Sequence, residues 1–361
     1  MINLRPYFLC AAAGLLIVAL CGCQALNTPQ VEPVSTETNS RTVEDGGTGP
    51  YPAVMASDST LETHTIFRPE DLSAFGKKNK LPIIAWGNGA CSNSPSGHLN
   101  FLSEVASHGF LVIAIGPMPA EGQSGGGMRG GGMPGGGMPG GGMMSYGGMP
   151  GGMRGGGGMM SRTTSSQLID AIDWAIAQDS NQTSIYYNKI DTENVAVAGM
   201  SCGGLQAYEV SNDPRVDTTM ICNSGLLNTP MGGGGAPGGA RGGARGGGGG
   251  MPGMPSIPKE SLNDLHAPIL FLLGGESDMA YANGSDDFDR IEKLPVFLAS
   301  MDVGHGGTYM RPHGGEFAKV AAAWCKWWLK GDKEAGKMFT GDPCGLTKNE
   351  TWIEIKKKNI P

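Results

Sequence analysis

A serine, an aspartate and a histidine that each fall where an apolar run gives out could together carry nucleophilic acyl transfer. They are Ser201 in Gly199-Met200-Ser201-Cys202-Gly203, Asp278 in Gly274-Gly275-Glu276-Ser277-Asp278, and His305 in Val303-Gly304-His305-Gly306-Gly307. A serine hydroxyl is a weak nucleophile until a base sits within hydrogen-bond reach. In this assignment His305 takes the Ser201 proton and returns it to the leaving group. Asp278 fixes the histidine tautomer and stabilises the imidazolium. The developing oxyanion needs two aimed donors. The sequence offers the N–H of Cys202, just after the serine, and that of Ala90 in Gly87-Asn88-Gly89-Ala90-Cys91. Glu276 is a rival acid and His313 a rival base. Asp278 is favoured because a position two residues further on suits a loop reaching back to the histidine, and His305 because it lies nearer a strand end.

The elements that must hold these residues can be read from hydrophobic patterning. Val195–Met200 is an apolar, β-branched run that breaks at Gly199, and Leu205–Val210 continues with a helical pattern. A Gly-x-Ser-x-Gly between strand and helix makes a tight elbow that lifts the serine hydroxyl clear of a sheet. In a chain with 62 glycines among 361 residues the pentapeptide alone could arise by chance, so its context decides. Short apolar runs at Leu81–Trp86, Phe110–Ile115, Thr218–Cys222, Ala267–Leu273 and Val296–Ser300 read as buried strands, and Leu61–Phe67 as an alternating one ended by Arg68-Pro69. Leu168–Ala177 and about Glu316 to Lys330 read as helices. Ser103–Gly109 reads as a helix end with a glycine stop. Alternation of this kind predicts an α/β fold: a mostly parallel sheet wound on both sides, with working residues at the carboxyl ends of strands. The chain order serine, acid, histidine is that of an α/β-hydrolase. His64 reads as structural, His108 as a helix-end group, and Trp324, Trp327 and Trp328 as packing residues. Asp286, Asp287 and Asp289 read as a solvated helix start.

The organisation of the chain follows from composition. An apolar content of 39% and a net charge of −7 are both distorted by two Gly/Met/Pro-rich insertions, about 122–162 and 229–258. They carry arginines but no acids between them. The remainder suffices for one domain, expected over 49–361. A mildly acidic chain without a basic block argues against nucleic acid as partner. Residues 1–22 read as an export signal: Arg5, an apolar run from Phe8 to Leu20, then Leu20-Cys21-Gly22-Cys23. Residues 23–48, rich in Thr, Ser, Pro, Glu and Asn, are expected to form a disordered tether.

Two resemblances add to this reading. Leu20-Cys21-Gly22-Cys23 resembles the lipobox of bacterial lipoproteins. That implies an acylated Cys23 and, with Gln24 following, attachment to the outer membrane. The segments Val105–Ile113, Ile190–Gly204 and Ala267–Leu270, with the Glu276-Ser277-Asp278 turn, resemble cutinase-like polyester hydrolases of the dienelactone hydrolase group. The resemblance implies an α/β-hydrolase fold, carboxylic ester hydrolysis and Ser201, Asp278 and His305 as the triad. The chain departs from the group at Asn88-Gly89-Ala90-Cys91, where relatives carry His-Gly or an aromatic, so polyester is not inferred as substrate. Dienelactone hydrolases proper use a cysteine nucleophile.

Export to an oxidising compartment permits disulfides. The oxyanion loop and the elbow must approach each other, which suggests Cys91–Cys202. Cys325–Cys344 would pin the tail, leaving Cys222 a buried thiol. The resulting expectation is an exported, lipid-anchored serine esterase, monomeric and without metal or cofactor. It would meet an ester substrate in solution and a membrane through its anchor. A peptidase of the same fold and a non-catalytic surface protein are the alternatives.

Overall fold

The computed structural model describes residues 34–122, 163–228 and 257–360. The strands form one ten-stranded sheet in the order β1-β2-β3-β5-β4-β6-β7-β8-β9-β10. They are β1 Glu37–Thr42, β2 Ala53–Asp58, β3 His64–Pro69, β4 Leu81–Gly87, β5 Leu111–Ile115, β6 Ile190–Met200, β7 Val216–Cys222, β8 Ile269–Leu273, β9 Val296–Ser300 and β10 Glu354–Lys358. From β5 to β9 in sheet order every pairing is parallel. β1, β2 and β3 join antiparallel at one side and β10 at the other.

The parallel strands are apolar on both faces because both faces are covered. Ile84 and Trp86 of β4 point into one core with helices α1 (Leu99–Ser107) and α5 (Gly315–Lys330). Ile83 and Ala85 point into the other, with α2 (Ser166–Ser180), α3 (Cys202–Val210) and α4 (Tyr281–Arg290). Trp324 is fully buried, packed edge-on to Trp327 and tilted against Trp328, as packing residues would be. His64 is buried, its Nε2 2.9 Å from the Gln167 carbonyl, and His108 ends α1 with its ring 3.1 Å from Glu104.

Four expectations need correction. The tether does not reach residue 48, because Glu37–Thr42 is an edge strand, tied to the sheet by a bidentate pair between Arg68 and Glu37 at 2.7 Å. Nor does Arg68-Pro69 end its strand early: β3 runs through Pro69, which pairs with Ala53 of β2 beyond the point where the β3–β5 register ends at Phe67. Asp287 is not solvated but wholly buried, accepting from Tyr208 Oη, the Leu226 N–H and Lys259 Nζ at 2.6–2.8 Å. Cys325 and Cys344 are not bonded to each other. Cys325 faces the sheet, its Sγ 3.7 Å from Met220 Sδ. Apolar packing holds the tail instead, with Phe339 stacked on Trp327 at 5.7 Å. Cys222 is a free, buried thiol, pushed up to about 12 by burial. Cys23 and nearly all of both Gly/Met/Pro-rich insertions lie outside the described residues.

Candidate active site

Strands β6, β8 and β9 run parallel in the sheet, so their carboxyl ends share one edge. Ser201 follows β6 directly, Asp278 lies in the turn after β8, and His305 in the loop after β9. At that edge His305 Nε2 stands 2.9 Å from Ser201 Oγ, and His305 Nδ1 stands 2.6 Å from Asp278 Oδ1. A carboxylate can only accept, so Nδ1 carries the proton and Nε2 is free to accept from the serine. Asp278 is 3% exposed, while the His305 side chain is 25% exposed, which leaves the imidazole reachable from solvent.

The elbow geometry is strict. Ser201 has φ 55° and ψ −117°, a backbone state that side chains rarely adopt. Such strain costs on the order of 1–3 kcal/mol and needs surrounding structure to hold it. The Ser201 N–H donates to the Cys222 carbonyl at 2.9 Å, and Ser224 Oγ donates to the Ser201 carbonyl at 2.7 Å. A Cβ at Gly199 would strike the Gly203 carbonyl, and one at Gly203 would strike the backbone of Gly87. Helix α3 can therefore approach β4 and β6 only with glycine at both places.

Asp278 is held by four donors. Oδ1 accepts from His305 and from the Ala280 N–H at 2.9 Å; Oδ2 accepts from Asn223 Nδ2 at 2.8 Å and from the Gly274 N–H at 3.1 Å. Burial by itself would raise this carboxyl. The hydrogen bonds from His305, Ala280 and Asn223 outweigh it and hold the group below the usual range. Glu276 is exposed on the same turn and His313 sits elsewhere, its Nδ1 3.5 Å from Asp45 and 3.6 Å from Glu44, so neither rival takes part in the Ser201–His305–Asp278 contacts.

Cys202 is the first residue of α3, where backbone N–H groups lack acceptors within the helix. Ala90 lies in the turn Gly89–Cys91 after β4, exposed and with φ 56°. Three braces hold that turn. Asn88 Nδ2 donates to the Ser92 and Ile115 carbonyls at 3.0 and 2.6 Å, Thr163 donates twice to the Cys91 carbonyl, and a disulfide joins Cys91 to Cys202. Behind the turn, Trp86, His98, Phe101 and Tyr309 form a buried aromatic cluster.

Asn223 and Tyr309 are parts of the site that sequence reasoning missed. Asn223 follows β7 at the same sheet edge, which is the placement rule that found the other three. The chain matches no protein-family model, and no curated protein matches it significantly.

Proposed function

We propose that this protein is a serine hydrolase of carboxylic esters, built on an α/β-hydrolase fold and working through an acyl-enzyme. The observation that carries the reading is the unbroken run of contacts from Ser201 Oγ through the His305 ring to the buried Asp278 carboxylate. His305 Nε2 accepts the serine proton as Oγ attacks the ester carbonyl carbon. The carbonyl oxygen becomes an oxyanion, received by the N–H groups of Cys202 and Ala90. Collapse expels the alcohol, which takes the proton back from His305. Water then repeats the sequence against the acyl-serine, releasing the acid and restoring Ser201. In this reading the Cys91–Cys202 bond fixes the two donor segments relative to each other.

The segment up to Cys23, read as an export signal with a lipobox, supports placing this activity on a lipid-anchored protein at the outer membrane. The proposed reaction itself calls for no cofactor, the mildly acidic composition speaks against a nucleic-acid partner, and we take the protein to act as a monomer. The resemblance to the dienelactone hydrolase group supports the ester as substrate. Fluorophosphonate labelling followed by peptide mapping tests the nucleophile. Modification at Ser201 is expected, together with hydrolysis of short p-nitrophenyl esters that disappears in Ser201→Ala. Labelling elsewhere, or turnover that survives the substitution, overturns the assignment.

A further inference from the structure

Asp278 takes hydrogen bonds from two backbone N–H groups, from His305 and from Asn223. Among the described residues, Asn223 is thus the one side chain beyond the base that holds the carboxylate. The same amide nitrogen also lies 3.2 Å from the carbonyl of Gly304, the residue before His305. One side chain therefore grips both the acid and the loop that carries the base.

The amide cannot turn freely. Its Oδ1 accepts from Tyr309 Oη at 2.5 Å, four residues beyond His305, and both side chains are buried. With Oδ1 engaged, Nδ2 must face the two acceptors; a flipped amide would set oxygen against oxygen. Burial pushes the Tyr309 phenol well up, so it keeps the proton it donates. The backbone serves the same end. Asn223 has φ 42°, a left-handed state that asparagine tolerates, and its N–H donates to the Leu272 carbonyl at 2.7 Å. A Cβ at Gly274 would come within 2.9 Å of Asn223 Nδ2, and one at Gly307 within 2.9 Å of Asn223 Oδ1.

We infer that Asn223, locked by Tyr309, is a positioning residue: through the Asp278 carboxylate and the Gly304 carbonyl it sets His305 opposite Ser201. This rests on the hydrolase reading of the triad. A neutral donor suits the task. A cation in its place would offset the Asp278 charge that the imidazolium needs, whereas an amide directs the carboxylate and leaves its charge intact.

The test compares Asn223→Leu, Asn223→Asp and Tyr309→Phe with the wild type on p-nitrophenyl acetate, with circular dichroism and thermal melting as checks on folding. Asn223→Leu should lower kcat about tenfold to a hundredfold, the worth of one hydrogen bond to a charged group, with KM unchanged. Tyr309→Phe, the milder change, should cost about twofold to tenfold in kcat. In Asn223→Asp two facing carboxyls share a proton that leaves only at raised pH. While shared, it can donate as the amide did. The activity of Asn223→Asp relative to wild type should therefore be highest at the acid end and fall as pH rises; a lesion of packing alone would lower it by a constant factor. Wild-type kcat in Asn223→Leu, or a flat Asn223→Asp ratio, overturns the inference. A readout that needs no turnover is the downfield proton resonance of the His305–Asp278 hydrogen bond, which should shift in Asn223→Leu and Tyr309→Phe. If the wild type neither hydrolyses esters nor is labelled at Ser201, the hydrolase reading fails by itself. The resonance still decides whether Asn223 holds the pair, and an unchanged signal refutes it.

Discussion

The Cys91–Cys202 disulfide joins the residue after Ser201, the proposed nucleophile, to the turn that carries Ala90, the proposed second oxyanion donor, across 111 residues of chain. Two separate effects follow from that placement. Cross-linking so long a loop removes entropy from the unfolded chain worth about 4.8 kcal/mol at 25 °C in the chain-entropy account. For a domain of this size, that corresponds to a fall in Tm of roughly 10–15 °C when the bond is absent. The second effect is local. Without the bond, the Gly89–Cys91 turn keeps the Asn88 and Thr163 braces but loses its covalent tie to α3. Complete loss of one oxyanion donor costs about 10²- to 10³-fold in kcat, so partial loosening should cost about tenfold to a hundredfold.

The variant to make is Cys91→Ala with Cys202→Ala, which removes both sulfurs without burying a new hydroxyl and leaves the Cys202 N–H in place. Urea unfolding gives the stability change, and steady-state kinetics well below the variant's own Tm gives kcat and KM. The expected pattern is a lower midpoint together with a lower kcat at unchanged KM. A destabilised variant with wild-type kcat would leave the bond a purely structural staple and refute its role in the oxyanion site. A variant as stable as wild type would refute the entropic argument. Because both sulfurs are buried, a thiol reductant should attack the native bond slowly, and the loss of activity on reduction should accelerate in mild denaturant.

Replacing Asp278 by Asn should lower kcat about 10⁴-fold, because an amide can favour the wrong histidine tautomer while the geometry survives; a loss under tenfold in esterase assays would remove Asp278 from the triad. His98 is buried without a partner for Nδ1, and burial pushes it down to about 4. A histidine that is depressed on folding contributes stability above about pH 6.5 that is lost as pH falls towards 4, here about 3 kcal/mol. His98→Phe should accordingly flatten the decline of the urea midpoint between pH 7 and pH 4.5, and an unaltered decline would assign it to other groups. Asp287→Ala would leave the Lys259 ammonium with Asp286 and the Asn283 carbonyl alone, and the Leu226 N–H without its Asp287 acceptor, so unfolding free energy should fall by about 3 kcal/mol. A change under about 0.5 kcal/mol in a urea melt would show that the cluster rearranges at no cost.

What the sequence disclosed and what it hid divide along a physical line. Strands buried on both faces, such as Ile269–Leu273 and Val296–Ser300, are continuous apolar runs and announce themselves. The side chains at their carboxyl ends could be located by position, and Ser201, Asp278 and His305 do meet there. The two outermost strands, both antiparallel, carry no such mark. Glu37–Thr42 is polar throughout because an edge strand faces water, and Glu354–Lys358 carries three lysines of the kind that keep an open edge from pairing with another chain. Composition made the first look like tether and gave no reason to expect the second. Asp287 misled for a different reason: its partners Tyr208, Leu226 and Lys259 come from α3 and from both sides of the 229–256 stretch, so no local window contains the charge that permits its burial. Asn223 and Tyr309 are separated by 86 residues and belong to no motif. Yet Asn223 was within reach of the strand-end rule, since it follows Cys222 as directly as Ser201 follows Met200. Ser201, Asp278 and His305 obey that rule as groups whose chemistry could react, and Asn223 obeys it as one whose chemistry could not. In the proposed mechanism, the polar residue that follows β7 is the one that holds Asp278 and His305 in place.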